Sequence, residues 1–258
     1  MKAFVTGATG FVGSALVREL LADGVGVCAL ARPSADLRNL HELDITIVRG
    51  DVLDEQSLVE GMSGCRWVFH VAAYYSTCES DADLMYAVNV DGTQNVLRAA
   101  RAIGAERIVH CSTIGTIGRT RSKYRGECAA LEAAAAGLPV VVVTPCAPVG
   151  ARDIKPSSSG QRILAVLKGR LPSYLEGGIN HIAVRDVARG HILAARHGRI
   201  GERYILGHRN LMLEDFLRLV EQAAGVRAPR PVRRWNLLAR LRSPSAASTS
   251  HKPLALTC

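Results

Sequence analysis

The chain has 258 residues, 48% of them hydrophobic, and a formal net charge of +9. That length suits one large domain, or a nucleotide-binding domain with a smaller appendage. No apolar run reaches the ~20 residues of a membrane helix, and the seven cysteines are scattered without CxxC spacing, which argues against a membrane span, a zinc or other metal site and a disulfide framework, and for reduced thiols in a cytoplasmic setting.

The N-terminus "MKAFVTGATG" enters an ordered pattern directly, so no leader is expected. An apolar strand runs into Gly7-Ala8-Thr9-Gly10-Phe11-Val12-Gly13 and on into a helix with Phe11, Ala15, Leu16 and Leu20 inward. Gly7 permits a tight turn, Gly10 lets a diphosphate approach the backbone, and Gly13 lets the helix lie close to the sheet. The bare N–H groups at the helix start supply an anion site. The alternative is a purely structural tight turn.

The second strand, "GVCALA", is followed by Arg32, with Ser34 and Arg38 near and no acid at the strand end. A cofactor lacking a 2′-phosphate is usually read by an acid there, whereas a guanidinium pairs with a 2′-phosphate. NADP is therefore expected over NAD; the alternative is a solvated surface arginine. Further strands are read at "DITIVRG", "RWVFHVAA", "RIVHCST" and "PVVVVTP", rich in Val and Ile and without strict alternation, as strands covered on both faces should be. Between them, Val96, Leu97, Ala100 and Ile103 mark an amphipathic helix that stops at Gly104.

Alternating strands and helices predict an α/β fold: a Rossmann-type, doubly wound parallel sheet over residues 1–150. Beyond Gly150 the pattern loosens. Helices near 160–169, 186–197 and 213–224 and strands near 180–184 and 203–206 suggest a small substrate-side lobe, 151–225, interleaved with the sheet domain. Residues 226–258 form a tail. From Gly225 onward there are seven basic residues and no acidic ones, so residues 1–224 carry only about +2. Broken by Pro229 and Pro231 and followed by "SPSAASTS", it reads as a solvated or poorly ordered segment rather than a surface for nucleic acid or anionic lipid.

Taken together, "TGATGFVGSALVREL", "GDVLD", "VFHVAA", "NVDGTQNVLRAA", "RIVHCSTIGTIG" and "HIAVRDVARGHILAA" resemble an extended short-chain dehydrogenase/reductase of the NAD-dependent epimerase/dehydratase family. The chain is similar to hopanoid-associated sugar epimerases and dihydroflavonol-reductase-like proteins. The resemblance implies NAD(P), hydride transfer at a secondary alcohol, and a nucleotide-sugar or small carbonyl substrate. It places Gly7, Thr9, Gly10, Phe11, Val12 and Gly13 at the diphosphate, Asp51 and Val52 beside adenine, and Ala72, Ala73 and Pro145 along the cofactor. Asn89 falls on the helix that props the active site. Asp51 as a turn or helix cap, and Asn89 as a buried polar group, are the structural alternatives. His181 and Asp186 fall near the substrate lobe, and a homodimer through helices near 84–103 and 120–136 is implied.

The implied chemistry uses a tyrosine that exchanges a proton with the substrate oxygen, a lysine four residues on that lowers its pKa and holds the ribose, and a Ser or Thr hydroxyl. Residues i and i+4 share a helix face, which explains the spacing. Thr113 matches the hydroxyl and Lys123 the lysine, but the tyrosine position is Arg119, a side chain that stays charged and donates no proton at ordinary pH. The link from Thr113 to Lys123 is also short. Tyr74 and Tyr75, just after "VFHVAA", are candidate substitutes, whereas Tyr124 points about 100° away from Lys123 on a helix. Two functions follow: an NAD(P)-dependent epimerase or reductase, or an NADP-binding protein without turnover.

Overall fold

The computed structural model of the chain describes residues 1–76, 78–117, 121–171, 173–227 and 229–231; Arg119 and residues 232–258 of the basic tail lie outside them. In chain order the elements are β1 (Lys2–Thr6), α1 (Phe11–Ala22), β2 (Gly26–Ala31), β3 (Thr46–Arg49), α2 (Glu55–Met62), β4 (Trp67–His70), α3 (Ala82–Tyr86), α4 (Gly92–Ala102), β5 (Arg107–Cys111) and α5 (Arg121–Ala135). They continue with β6 (Val140–Pro145), β7 (Ala147–Val149), α6 (Ser158–Leu167), β8 (Ser173–Tyr174), β9 (Gly178–Ala183), α7 (Val184–His197), β10 (Arg203–Leu206), β11 (Arg209–Met212), α8 (Leu213–Ala224) and β12 (Arg230–Pro231). A wide π-type turn, Ala87–Asp91, joins α3 to α4.

Two compact units emerge. The larger comprises Met1–Ser159 and Asn180–Arg209, the smaller Gly160–Ile179 and the described residues from Asn210 onward. Part of the 151–225 stretch, residues 180–209, thus belongs with the sheet.

The larger unit is built on a seven-stranded parallel sheet ordered β10-β6-β5-β4-β1-β2-β3. Its strands lack alternation because both faces are covered: all six residues of β6 are buried. On one face Val5, Phe69, Val109 and Val143 pack with Leu16 and Leu20 of α1 and Ala188 and Ile192 of α7. On the other, Phe4, Val68, Ile108 and Val142 pack with Leu58 and Met62 of α2, Val96 of α4 and Ala130 of α5. The sheet order reverses at β1, whose neighbours are β2 and β4, and that carboxyl-end crevice is where doubly wound sheets bind ligands. α4 stops where the sequence predicts, at Gly104, whose φ of 65° is left-handed.

In the smaller unit β8 pairs with β12 in parallel, and the Leu213 N–H donates to the Gly177 carbonyl, 2.7 Å, to launch α8. Among its described residues, Val166, Tyr174, Phe216 and Leu217 are the buried apolar side chains. No helix among the described residues is long and apolar enough to cross a membrane. Cys28, Cys65, Cys111, Cys128 and Cys146 carry free thiols.

Candidate functional site

The crevice at the sheet reversal is a cleft of about 510 Å³ within the larger unit. Its floor is the glycine turn, and each glycine has a separate reason. Gly7 has φ 69°, and a Cβ there would sit 2.6 Å from the Ala72 nitrogen. The turn therefore lies against the backbone that follows β4. A Cβ on Gly13 would come within 2.1 Å of the Gly7 carbonyl oxygen, so α1 starts tight against the turn. Gly10 differs. A Cβ on it would meet the protein only at the Gly7 oxygen, 3.3 Å away, and Gly10 is exposed to the cleft.

Gly10 is also the N-cap of α1, with no side-chain cap and no acidic residue in the first turn. First-turn amides lack intrahelical partners and carry the positive end of the helix dipole. With no carboxylate competing for them, they form an anion site open to the cleft. Phe11, expected inward, lines the cleft; Leu16 and Leu20 are the buried residues of that face.

Gly7, Thr9, Gly10, Phe11, Val12, Gly13, Arg32, Asp51, Val52, Ala72 and Ala73 all line the cleft. Arg32 is exposed and its carbonyl accepts from Arg49 Nη1 at 3.2 Å. The nearby Arg38 is committed elsewhere: its guanidinium grips Asp36, with Nη2 2.7 Å from Oδ2, which holds the Asp36 carboxyl down at about 2. Asp36 does not line the cleft, so no acid of this loop competes with Arg32 there. Asp51 lines the cleft and its Oδ1 accepts from the Leu53 N–H at 3.0 Å, a turn contact; Asp54 is the residue that caps α2.

Pro145 is buried at the end of β6, paired with Leu206, and outside the lining; Pro148 lines the cleft instead. Asn89 is buried in the π-type turn. Its Oδ1 accepts from the Tyr74 N–H (2.9 Å), and its Nδ2 donates to the Tyr74 carbonyl (2.8 Å) and to Ser122 Oγ of α5 (3.1 Å). Both halves of the Tyr74 backbone are thus fixed, and Tyr74 lines the cleft with Tyr75. The Tyr74 hydroxyl donates to Asp81 Oδ2 at 3.1 Å, which raises its pKa above the ordinary value.

The other two members of the implied catalytic set lie outside the lining. Thr113 Oγ1 accepts from the Gly115 N–H, 3.3 Å, and Lys123 Nζ donates to the Cys111 carbonyl, 2.7 Å, at the end of β5. Burial lowers the Lys123 pKa, with Cys111 and Glu127 opposing, and pushes the Cys111 thiol up to about 11. One turn further along α5, the buried Glu127 accepts from Ser112 Oγ and pairs with Arg203, tying α5 to the sheet. Tyr124 is half-exposed on the outer side of α5, Asp186 is exposed in the first turn of α7, and the buried His181 does not line the cleft. Leu30, Ala31, Val71, Val88 and Ser157 line the cleft without having been anticipated. Their shared signal is position: most end a strand at the carboxyl edge or sit beside Asn89.

A Rossmann sheet, a glycine turn bared to a cleft at the reversal point and a guanidinium at the end of β2 define a dinucleotide-binding protein of the doubly wound class. Residues 3–132 match the model of the NAD dependent epimerase/dehydratase family, and the chain belongs to that family. It is 42% identical over 253 residues to a "Putative dihydroflavonol 4-reductase" of Synechocystis, covering 88% of this chain and 74% of that one. Among solved structures, a nucleoside-diphosphate-sugar epimerase from Pseudomonas aeruginosa is 27% identical with a TM-score of 0.79, covering 93% of this chain and 84% of that one. UDP-glucose 4-epimerase of Thermus thermophilus, solved as its NAD complex, is 25% identical with a TM-score of 0.75 over 96% and 95%.

Proposed function

We propose that the chain binds NADP(H) in this cleft and reduces a small carbonyl compound or the keto form of a nucleotide sugar, with Tyr74 as the proton donor. The observation that carries the reading is the uncapped first turn of α1, open to a cleft that Arg32 and Tyr74 also line. The donor set fits the cofactor: amides for the diphosphate, Arg32 for a 2′-phosphate, and the small residues Ala72 and Ala73 where a flat nucleotide must pass. Bound there, the nicotinamide supplies hydride.

The residues then have distinct tasks. Asn89 fixes the Tyr74 backbone at N and O, and Asp81 holds the hydroxyl protonated. As the substrate oxygen gains charge, Tyr74 swings its O–H from Asp81 to that oxygen and gives up the proton, which solvent replaces. A phenol whose pKa is raised stays protonated at neutral pH, so Tyr74 meets the substrate in its acid form. The similarity to a reductase supports reduction as the direction. Tyr74→Phe should lower kcat for NADPH-dependent carbonyl reduction by about 10²–10⁴-fold, with cofactor affinity unchanged. Unaltered kcat in Tyr74→Phe would remove the residue from the mechanism.

A second reading, an NADP-binding protein without turnover, is favoured by the engagement of Lys123 with Cys111 and of Thr113 with Gly115. Tight NADPH binding with no oxidation across aldehydes, ketones and nucleotide sugars would select it.

A further inference from the structure

We infer that His70 is a positioning residue, held in its Nε2–H tautomer, that connects the diphosphate turn to Asn89 and so to Tyr74 and α5. The tautomer follows from proton counting along one buried chain. Thr93 Oγ1 donates to the Asn89 carbonyl, 2.8 Å, the carbonyl four residues earlier on its own helix. Its single proton is spent there, so the 3.0 Å contact with His70 Nε2 has the histidine as donor. A neutral imidazole with Nε2–H has Nδ1 as acceptor. The Thr6 hydroxyl, 2.8 Å away, therefore donates to Nδ1, and its oxygen accepts from the Ala72 N–H at 3.1 Å. Every proton in the chain has one place to go.

The two ends of the chain are both at the cleft. Thr6 ends β1 and Ala72 is the backbone on which Gly7 rests. Asn89 holds Tyr74 and Ser122. α5 is seated on the same point, because a Cβ at Gly126 would fall 2.2 Å from the Asn89 carbonyl oxygen and 3.2 Å from Thr93 Oγ1. The π-type turn supplies the geometry, since its widened backbone carries Asn89 between β4 and α5. His70 and Thr93 are both fully buried, and burial together with the Lys123 charge pushes the His70 pKa down to about 3, so the imidazole stays neutral at working pH.

The test needs neither cofactor nor substrate, so it stands apart from the functional reading. Long-range proton–nitrogen NMR of the histidine-labelled protein at pH 7 should show His70 neutral and protonated at Nε2; protonation at Nδ1, or a charged ring, would overturn the inference. Amide hydrogen exchange supplies the second arm. Thr93→Val removes the hydroxyl and should speed exchange of the Tyr74 N–H roughly five- to tenfold, the worth of about one hydrogen bond, beyond any change at β5 amides. Thr93→Ser, which keeps the hydroxyl, should restore the wild-type rate. A Tyr74 amide that exchanges alike in all three proteins, or no faster than the β5 amides, would sink the coupling.

Discussion

Lowering the pH from 7 to 5 should destabilise this protein by roughly 6 kcal/mol and lower its Tm by on the order of 15 °C. The cause is three neutral histidines buried in the larger unit, His70, His110 and His191, each no more than 2% exposed. Burial is the main cause of depression in all three. It takes His70 down to about 3 with help from the Lys123 charge, His191 down to about 4 against the pull of its bond to the Val187 carbonyl, and His110 well below its ordinary value. Lys123, His70 and His191 are the charged or titratable groups that press on His110.

An unfolded histidine takes up its proton near pH 6.5, while these folded ones do not. Stability is therefore complete above about pH 6.5 and falls as the pH drops toward the folded values, at about 1.4 kcal/mol per pH unit for each histidine. Neither ring nitrogen of His110 has a hydrogen-bond partner among the described residues, so His110→Leu should flatten the slope by roughly a third. Calorimetry across pH 5 to 7 reads both. A Tm that is level over that range would mean that the three rings are solvated or already charged.

The second large effect separates two glycines three residues apart. Gly13→Ala should cost about 3 kcal/mol or more, because the added carbon meets the Gly7 carbonyl at 2.1 Å and the Ala8 Cα at 2.9 Å. Those are backbone atoms and cannot swing away, so α1 must shift from the sheet. Gly10→Ala meets only one oxygen, at 3.3 Å, and the φ of −82° suits alanine. It should melt within a few degrees of the wild type and yet bind NADPH at least about tenfold more weakly, since its methyl stands in the path of the diphosphate. Thermal melts beside binding titrations distinguish the pair. If Gly10→Ala bound NADPH as tightly as the wild type, the diphosphate would have to lie elsewhere.

These two variants also mark what the residue order reveals. Glycine spacing between a buried strand and a helix is a local pattern, and so are the unbroken Val and Ile runs of a sheet covered on both sides; turn, strands and cleft floor were legible for that reason. Asn89 was legible as a position, but not as the clasp on Tyr74 and Ser122, because those partners are 15 and 33 residues away. The same holds for Lys123. Its place one turn along a helix follows from spacing, whereas its turn toward the Cys111 carbonyl depends on how α5 seats on Gly126. His70 and His110 sit at matching positions of neighbouring strands, rings 5.3 Å apart, a pairing that depends on strand register and so on residues 40 apart in the chain. Pro148 replaces Pro145 in the cleft lining because β6 keeps Pro145 paired and buried.

The most direct test is calorimetric titration of the unmodified protein with NADPH and NADH, beside Arg32→Ala. The bare turn and Arg32 predict a roughly micromolar Kd for NADPH, binding of NADH weaker by about tenfold or more, and a gap that closes in Arg32→Ala. Absence of binding heat for either nucleotide at millimolar concentration would contradict the account.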